Sequence, residues 1–159
     1  MDLRLSTKAE YGLKAMIDIA LQGGDKPVQV IDISKRQGVA RESLAVLMID
    51  LKRAGLVTSV RGPTGGYLLT REPADISVRQ IIEALEGPLG SSFKQKGSKL
   101  GAAAAIHETW RNCLDILIGT LDSTSLENLF EMSLSPSSSG RDPQGKSGES
   151  VPEGYVFNI

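Results

Sequence analysis

The most restrictive stretch of this sequence runs from residue 30 to residue 70, where helical, turn and strand signals follow one another with almost no slack. Asp32 can cap a short helix through Arg36, and Gly38 then breaks the chain. The run RESLAVLMIDLKRAGLV restarts as a helix, with Leu44, Leu47, Met48 and Leu51 on one face and Arg41, Ser43, Asp50 and Lys52 elsewhere. Gly55 stands where a C-terminal cap is expected. VTSV at residues 57–60 and YLLT at residues 67–70 are short strand candidates around the turn RGPTGG, which makes a hairpin. Ahead of this block, residues 6–21 read as an amphipathic helix. Ser6 or Thr7 caps it, Glu10 lies in its first turns, and Leu13, Met16, Ile17 and Ala20 recur at helical spacing. Gly23-Gly24-Asp25 ends that helix, and residues 27–30 are extended. Helix, helix, tight turn, helix, hairpin is the order of a winged helix-turn-helix. The expected fold is mainly α with a small β-hairpin wing, plus a long dimerisation helix.

Past Pro73, Ser77 caps a helix over Val78–Glu86 with Ile81, Ile82 and Leu85 facing inward, and Gly87-Pro88 stops it. Residues 90–101 are rich in Gly, Ser and Lys and read as a mobile loop. A long helix over residues 102–121 carries Ile106, Trp110, Leu114, Leu117 and Leu121 as an apolar stripe, and a short helix over 123–131 follows. Residues 135–152 are Ser, Gly, Pro and charge, which cannot repay the entropy of ordering. The apolar ending, residues 154–159, can dock on the fold or on a partner. Three regions are therefore expected: a DNA-binding domain over residues 1–88, a sensor loop and dimerisation helices over 89–134, and a flexible tail over 135–159.

Charge separates along the chain. The 159 residues sum to −1, but residues 1–71 hold eleven Lys/Arg against seven Asp/Glu, a net of +4, and the remainder carries −5. Attraction for phosphates therefore belongs to the first half. Apolar residues make up 40% and aromatic residues 4%, so aliphatic side chains build the core. No run is apolar enough to cross a bilayer and the N-terminus lacks a signal-peptide core, which gives a cytoplasmic protein with no membrane association as the expectation. The lone Cys113 cannot form an internal disulfide.

The second helix of a helix-turn-helix presents its N-terminal residues to base edges in the major groove. Here Arg41 can bond guanine or a phosphate, and Ser43 does either weakly. An isolated Arg on a helix is usually only solvated; its place directly after a tight turn reverses that weighting. The RGPTGG loop is not a phosphate cradle of the Walker type, because it lacks GxxxxGK[ST] and lies between strands. As a wing it carries Arg61 toward a narrow minor groove, with Thr64 at its tip. Lys8, Arg41, Ser43, Arg61 and Thr64 form the expected DNA-contacting set. No catalytic constellation is recognisable, so an enzyme is not expected.

The stretches LSTKAEYGLKAMIDIA, DISKRQGV, LKRAGLVTSVRGPTGGYLL and ISVRQIIEALEGPL resemble the winged-helix regulator family that includes IscR, NsrR and CymR. The likeness is dense over about the first 90 residues, and the RGPxGGY wing is its most specific part. The later helix with Trp110, and the SLENLFE segment, are similar to the family's dimerisation helix and the helix after it. The resemblance implies a homodimer on pseudo-palindromic double-stranded DNA, with regulation near the long helix. Two departures matter. Family members often carry Tyr-Leu-Glu where this chain has Ser43-Leu44-Ala45, so the operator should differ. Cluster-binding members place three cysteines before the long helix; spacing back from Trp110 puts Ala104, Ser98 and roughly Ser92 there, with His107 remaining. A lone His107 is better read as solvated than as a ligand, and no cofactor or metal is expected. The runner-up function is a module responsive to a small-molecule effector or partner enzyme, as the cysteine regulator of this family suggests. A metal or redox sensor ranks third.

Overall fold

A computed structural model describes residues 4–90 and 101–135 of the chain. Helix α1 spans Thr7–Gln22, capped by Ser6, whose hydroxyl accepts from the Ala9 amide at 3.0 Å. Its buried face is not the stripe read from large apolar residues. Ala9, Gly12, Ala15, Met16 and Ile19 are buried, whereas Leu13, Ile17 and Ala20 pack at the edge of the core. The reason is that α1 is the central helix, and small residues let its neighbours approach. A Cβ at Gly12 would stand 2.1 Å from a Leu85 methyl on the helix across from it.

Helix α2 covers Val30–Gln37. It begins two residues before the expected cap at Asp32, from Gln29, and no side chain caps it. Val28 is held in extended form by reciprocal backbone bonds with Tyr67 of 2.9 and 2.8 Å, which delivers the chain into the helix early. Asp32 sits instead in the first turn, where its charge meets the positive helix end. Gly38 closes α2 in the left-handed region (φ 65°), and Ser34 Oγ donates to the Val39 carbonyl at 2.7 Å across the tight turn.

Helix α3, Arg41–Arg53, buries Leu44, Leu47, Met48 and Leu51, the four residues its periodicity singles out. Gly55 follows with φ 71°, and strands β1 (Val57–Val60) and β2 (Gly66–Leu69) pair antiparallel with Val57 opposite Leu69 and Val60 opposite Gly66. A single 3-10 turn, Pro73–Asp75, leads to α4, Val78–Glu86, which opens with a full capping box between Ser77 and Gln80.

Helix α5 runs over Ala102–Ser123 and α6 over Leu126–Leu134. The last helix begins three residues later than expected, because Ser125 and Asn128 form a capping box and Thr124 is extended. The α5–α6 junction is sewn to the first unit: Val78 donates to the Thr124 carbonyl at 2.9 Å, and Leu126 to that of Ile76 at 2.8 Å. Leu126 is fully buried in the same core as Met16 and Ile81. The short helix that the sequence assigns to the dimerisation region thus shares the core of the winged helix. Residues 91–100 of the loop expected over 90–101, and residues 136–159 of the tail expected over 135–159, lie outside the described residues.

Candidate nucleic-acid interface

Four aliphatic side chains of α3 anchor it, each with under 5% of its surface exposed. Burial on that scale stabilises by about 1.5–3 kcal/mol per side chain, so the helix is a rigid platform for whatever its outer face carries. That outer face presents Arg41, Glu42, Ser43, Ala45, Val46 and Ile49, all exposed. Arg53, at the C-terminal end of α3, is 78% exposed and lies 3.7 Å from Asp50.

The wing is braced against both neighbouring helices. Lys52 Nζ donates to Ser59 Oγ at 2.6 Å, linking α3 to β1, and Gln29 Nε2 donates to the Pro63 carbonyl at 3.1 Å, linking the start of α2 to the wing tip. Two glycines make the turn possible. Gly62 has φ 115°, and a Cβ on Gly66 (φ 157°) would stand 2.4 Å from the Val28 carbonyl. Arg61 and Thr64 are exposed on this braced loop.

Lys8 stands apart from the other four expected residues. Its ammonium lies 3.0 Å from Asp50 Oδ2 and donates to the Leu85 carbonyl, so it ties α1 to α3 and α4. The structure thus puts Arg41 and Ser43 on the first turn of α3 and Arg61 and Thr64 on the wing, with Lys8 in the frame beside them.

Sequence reasoning missed three features of this region. Gln29 tethers the wing, but a lone Gln before a helix carries no distinguishing signal. Asp18, only 2% exposed, receives Arg36 through Nε and Nη2 at 2.9 and 2.7 Å and the Gln37 amide at 3.0 Å. Hydrogen bonding to Asp18 raises the Arg36 guanidinium above its usual pKa against the opposing effect of desolvation, helped by the charges of Asp18 and Asp32. An Asp interrupting an apolar helix followed by a basic pair on the next helix was the available clue. The third feature is the apolar outer face of α3, Val46 and Ile49, where surface charge drew the eye instead.

Helix α5 holds the positions relevant to a cluster. Ala104 occupies one place where cluster-binding relatives need a thiolate, Ser98 and Ser92 lie outside the described residues, and His107 and Cys113 are both exposed. With one cysteine in the whole chain, this donor set does not fit an iron–sulfur cluster.

Comparison with known proteins accords with this geometry. The Rrf2 family, described as iron-dependent transcriptional regulators, matches residues 5–132. The HTH-type transcriptional regulator IscR of Photorhabdus laumondii is 40% identical over 129 residues, covering 80% of this chain and 79% of the relative. IscR of Escherichia coli O1:K1 is 38% identical over 129 residues, with 80% of each chain covered. Among solved structures, CymR, the global cysteine regulator of B. subtilis, superposes with a TM-score of 0.71 at 36% identity, covering 82% of this chain and 98% of that one. IscR of T. potens gives a TM-score of 0.69 at 37% identity, covering 91% and 96%. A helix α3 on an aliphatic platform, a braced glycine wing and a match over most of the chain lead to one statement: this chain belongs to the Rrf2 family and is a DNA-binding, winged-helix transcription regulator.

Proposed function

We propose that the protein acts as a homodimer on pseudo-palindromic operators and regulates transcription without an iron–sulfur cluster. The observation that carries the dimer is α5. It is 22 residues long, none of its residues is buried against the described chain, and Ile106, Ile116 and Leu117 are 68%, 71% and 49% exposed. A helix so rich in uncovered aliphatic surface is stable when a second copy covers it. Two winged helices joined in this way would address two half-sites on one face of the duplex.

In this reading Arg41 and Ser43 enter the major groove, and Arg61 and Thr64 address the flanking minor groove and backbone. Lys8, with its ammonium committed to Asp50, adds positive potential behind α3 and fixes its tilt rather than gripping a phosphate. The chemistry is recognition alone, with no catalysis, and a cytoplasmic location follows from the DNA partner. No helix among the described residues is long and apolar enough to cross a membrane.

A second reading has its own support. Ala105, Ile106, His107, Thr109 and Trp110 form an open, largely apolar surface on α5 against which a small effector or a segment of a partner enzyme can rest. Light scattering on the full chain, combined with footprinting on its own upstream DNA, tests the main proposal. A dimer mass with two protected half-sites is expected; a monomer, or no protection at any salt, refutes it.

A further inference from the structure

We propose that α3 reads its operator chiefly by apolar contact, with Val46 and Ile49 packing on the methyl groups of two adjacent thymines in the major groove and Ala45 leaving room for them. The inference rests on the DNA-binding reading and specifies the sequence class that is bound. Val46 is 58% exposed and Ile49 49% exposed, on the side of α3 opposite Leu44, Leu47, Met48 and Leu51. Both are β-branched residues on a helix, which lowers helix propensity, and no described residue covers them. Their uncovered state calls for an occupant.

Charge around the patch selects that occupant. Arg41 begins the same helix, Glu42 is exposed one turn before Val46, Lys52 and Arg53 end the helix, Arg53 with 78% of its side chain exposed, and Arg61 is exposed at the end of β1. An apolar strip with cations at both ends of its helix complements a major groove, whose floor carries thymine methyls between two rows of phosphates, and Glu42 at the start of the strip can accept from a cytosine amino group beside them. A second copy of the chain is not called for here, since the uncovered aliphatic surface of α5 already suits that role. Beyond the polar Arg41, Glu42 and Ser43 of its first turn, the exposed residues at the middle of α3 are Ala45, Val46 and Ile49. Three residues along a helix advance about 4.5 Å. One base step is about 3.4 Å. Val46 and Ile49 can therefore meet neighbouring base pairs, and the half-site should contain two consecutive A·T pairs beneath the middle of α3.

The test begins with selection of tight-binding duplexes from a randomised library by the full-length protein. Enrichment of no sequence would overturn the DNA reading itself, and this inference with it. Given an enriched half-site, each thymine is replaced in turn by uracil, which removes only the 5-methyl group. Loss of roughly fourfold in affinity per contacted methyl is expected, the equivalent of about one buried methylene. Val46→Ala and Ile49→Ala keep or raise helix propensity, so folding is retained and is checked by circular dichroism. Each variant should bind the thymine duplex more weakly and should no longer distinguish it from the uracil duplex at one position. A half-site without adjacent A·T pairs, or equal binding of thymine and uracil duplexes, overturns the inference while leaving DNA binding intact. A change in oligomeric mass on Val46→Ala, with no thymine–uracil difference, assigns the patch to a second copy and also overturns it.

Discussion

Removing Arg36 should harm this protein more than neutralising the carboxylate it serves. Arg36→Ala deletes the two charge-assisted bonds to Asp18 and leaves a carboxylate only 2% exposed with a single donor, the Gln37 amide at 3.0 Å. An uncompensated buried charge costs about 3–5 kcal/mol. Arg36 is itself 39% exposed, so water reaches part of the gap and the expected loss falls to about 2–4 kcal/mol. Asp18→Asn keeps the shape and an acceptor for the guanidinium and converts charged bonds to neutral ones, for about 1–2 kcal/mol. Deleting both groups as Asp18→Ala/Arg36→Ala should be milder than Arg36→Ala alone, because no charge is stranded. Urea unfolding followed by far-UV circular dichroism measures all four proteins, at one fixed protein concentration because dimerisation would couple to folding. The guanidinium titrates above its already high ordinary value, so its own deprotonation removes this stability only in strong alkali. If Arg36→Ala costs no more than Asp18→Asn, or the double variant is no better than Arg36→Ala, the account of a buried carboxylate anchoring α2 to α1 is wrong.

Leu117→Glu should place a charge in the proposed α5–α5 contact and give monomers with weak operator binding; light scattering that still reports a dimer would move the interface elsewhere. Arg61→Ala should weaken operator binding by about 1–3 kcal/mol in an anisotropy titration, and unchanged affinity at moderate salt would remove the wing from the interface. Gly66→Ala would push a methyl against the Val28 carbonyl 2.4 Å away, so the wing should shift and DNA affinity fall with little change in far-UV circular dichroism. Purified anaerobically, the protein should contain no stoichiometric iron or sulfide; visible charge-transfer bands would reverse the reading of its single cysteine.

Local signals determined a large part of this protein without any tertiary information. The buried face of α3 was legible because Leu44, Leu47, Met48 and Leu51 repeat at the helical period, and the wing because RGPTGG between β-branched runs leaves the backbone few options. The cap at Ser77 was legible for the same reason, since capping is satisfied within one turn of chain. The exposure of Arg41, Ser43, Arg61 and Thr64 follows from their positions relative to those elements. What the tertiary structure decided is everything that depends on two distant segments meeting. The buried face of α1 is set by four neighbouring helices, which select Ala9, Gly12 and Ala15 for smallness, a property a hydrophobic stripe does not display. The start of α2 is set by Val28 pairing with Tyr67, 39 residues away, rather than by the cap signal at Asp32. That the Lys8 ammonium reaches Asp50, and that Arg36 reaches the buried Asp18, is likewise decided only by the packing of distant segments. Periodicity and capping are written in neighbouring residues; pairing between charges and between backbones across the fold is written only in their three-dimensional approach.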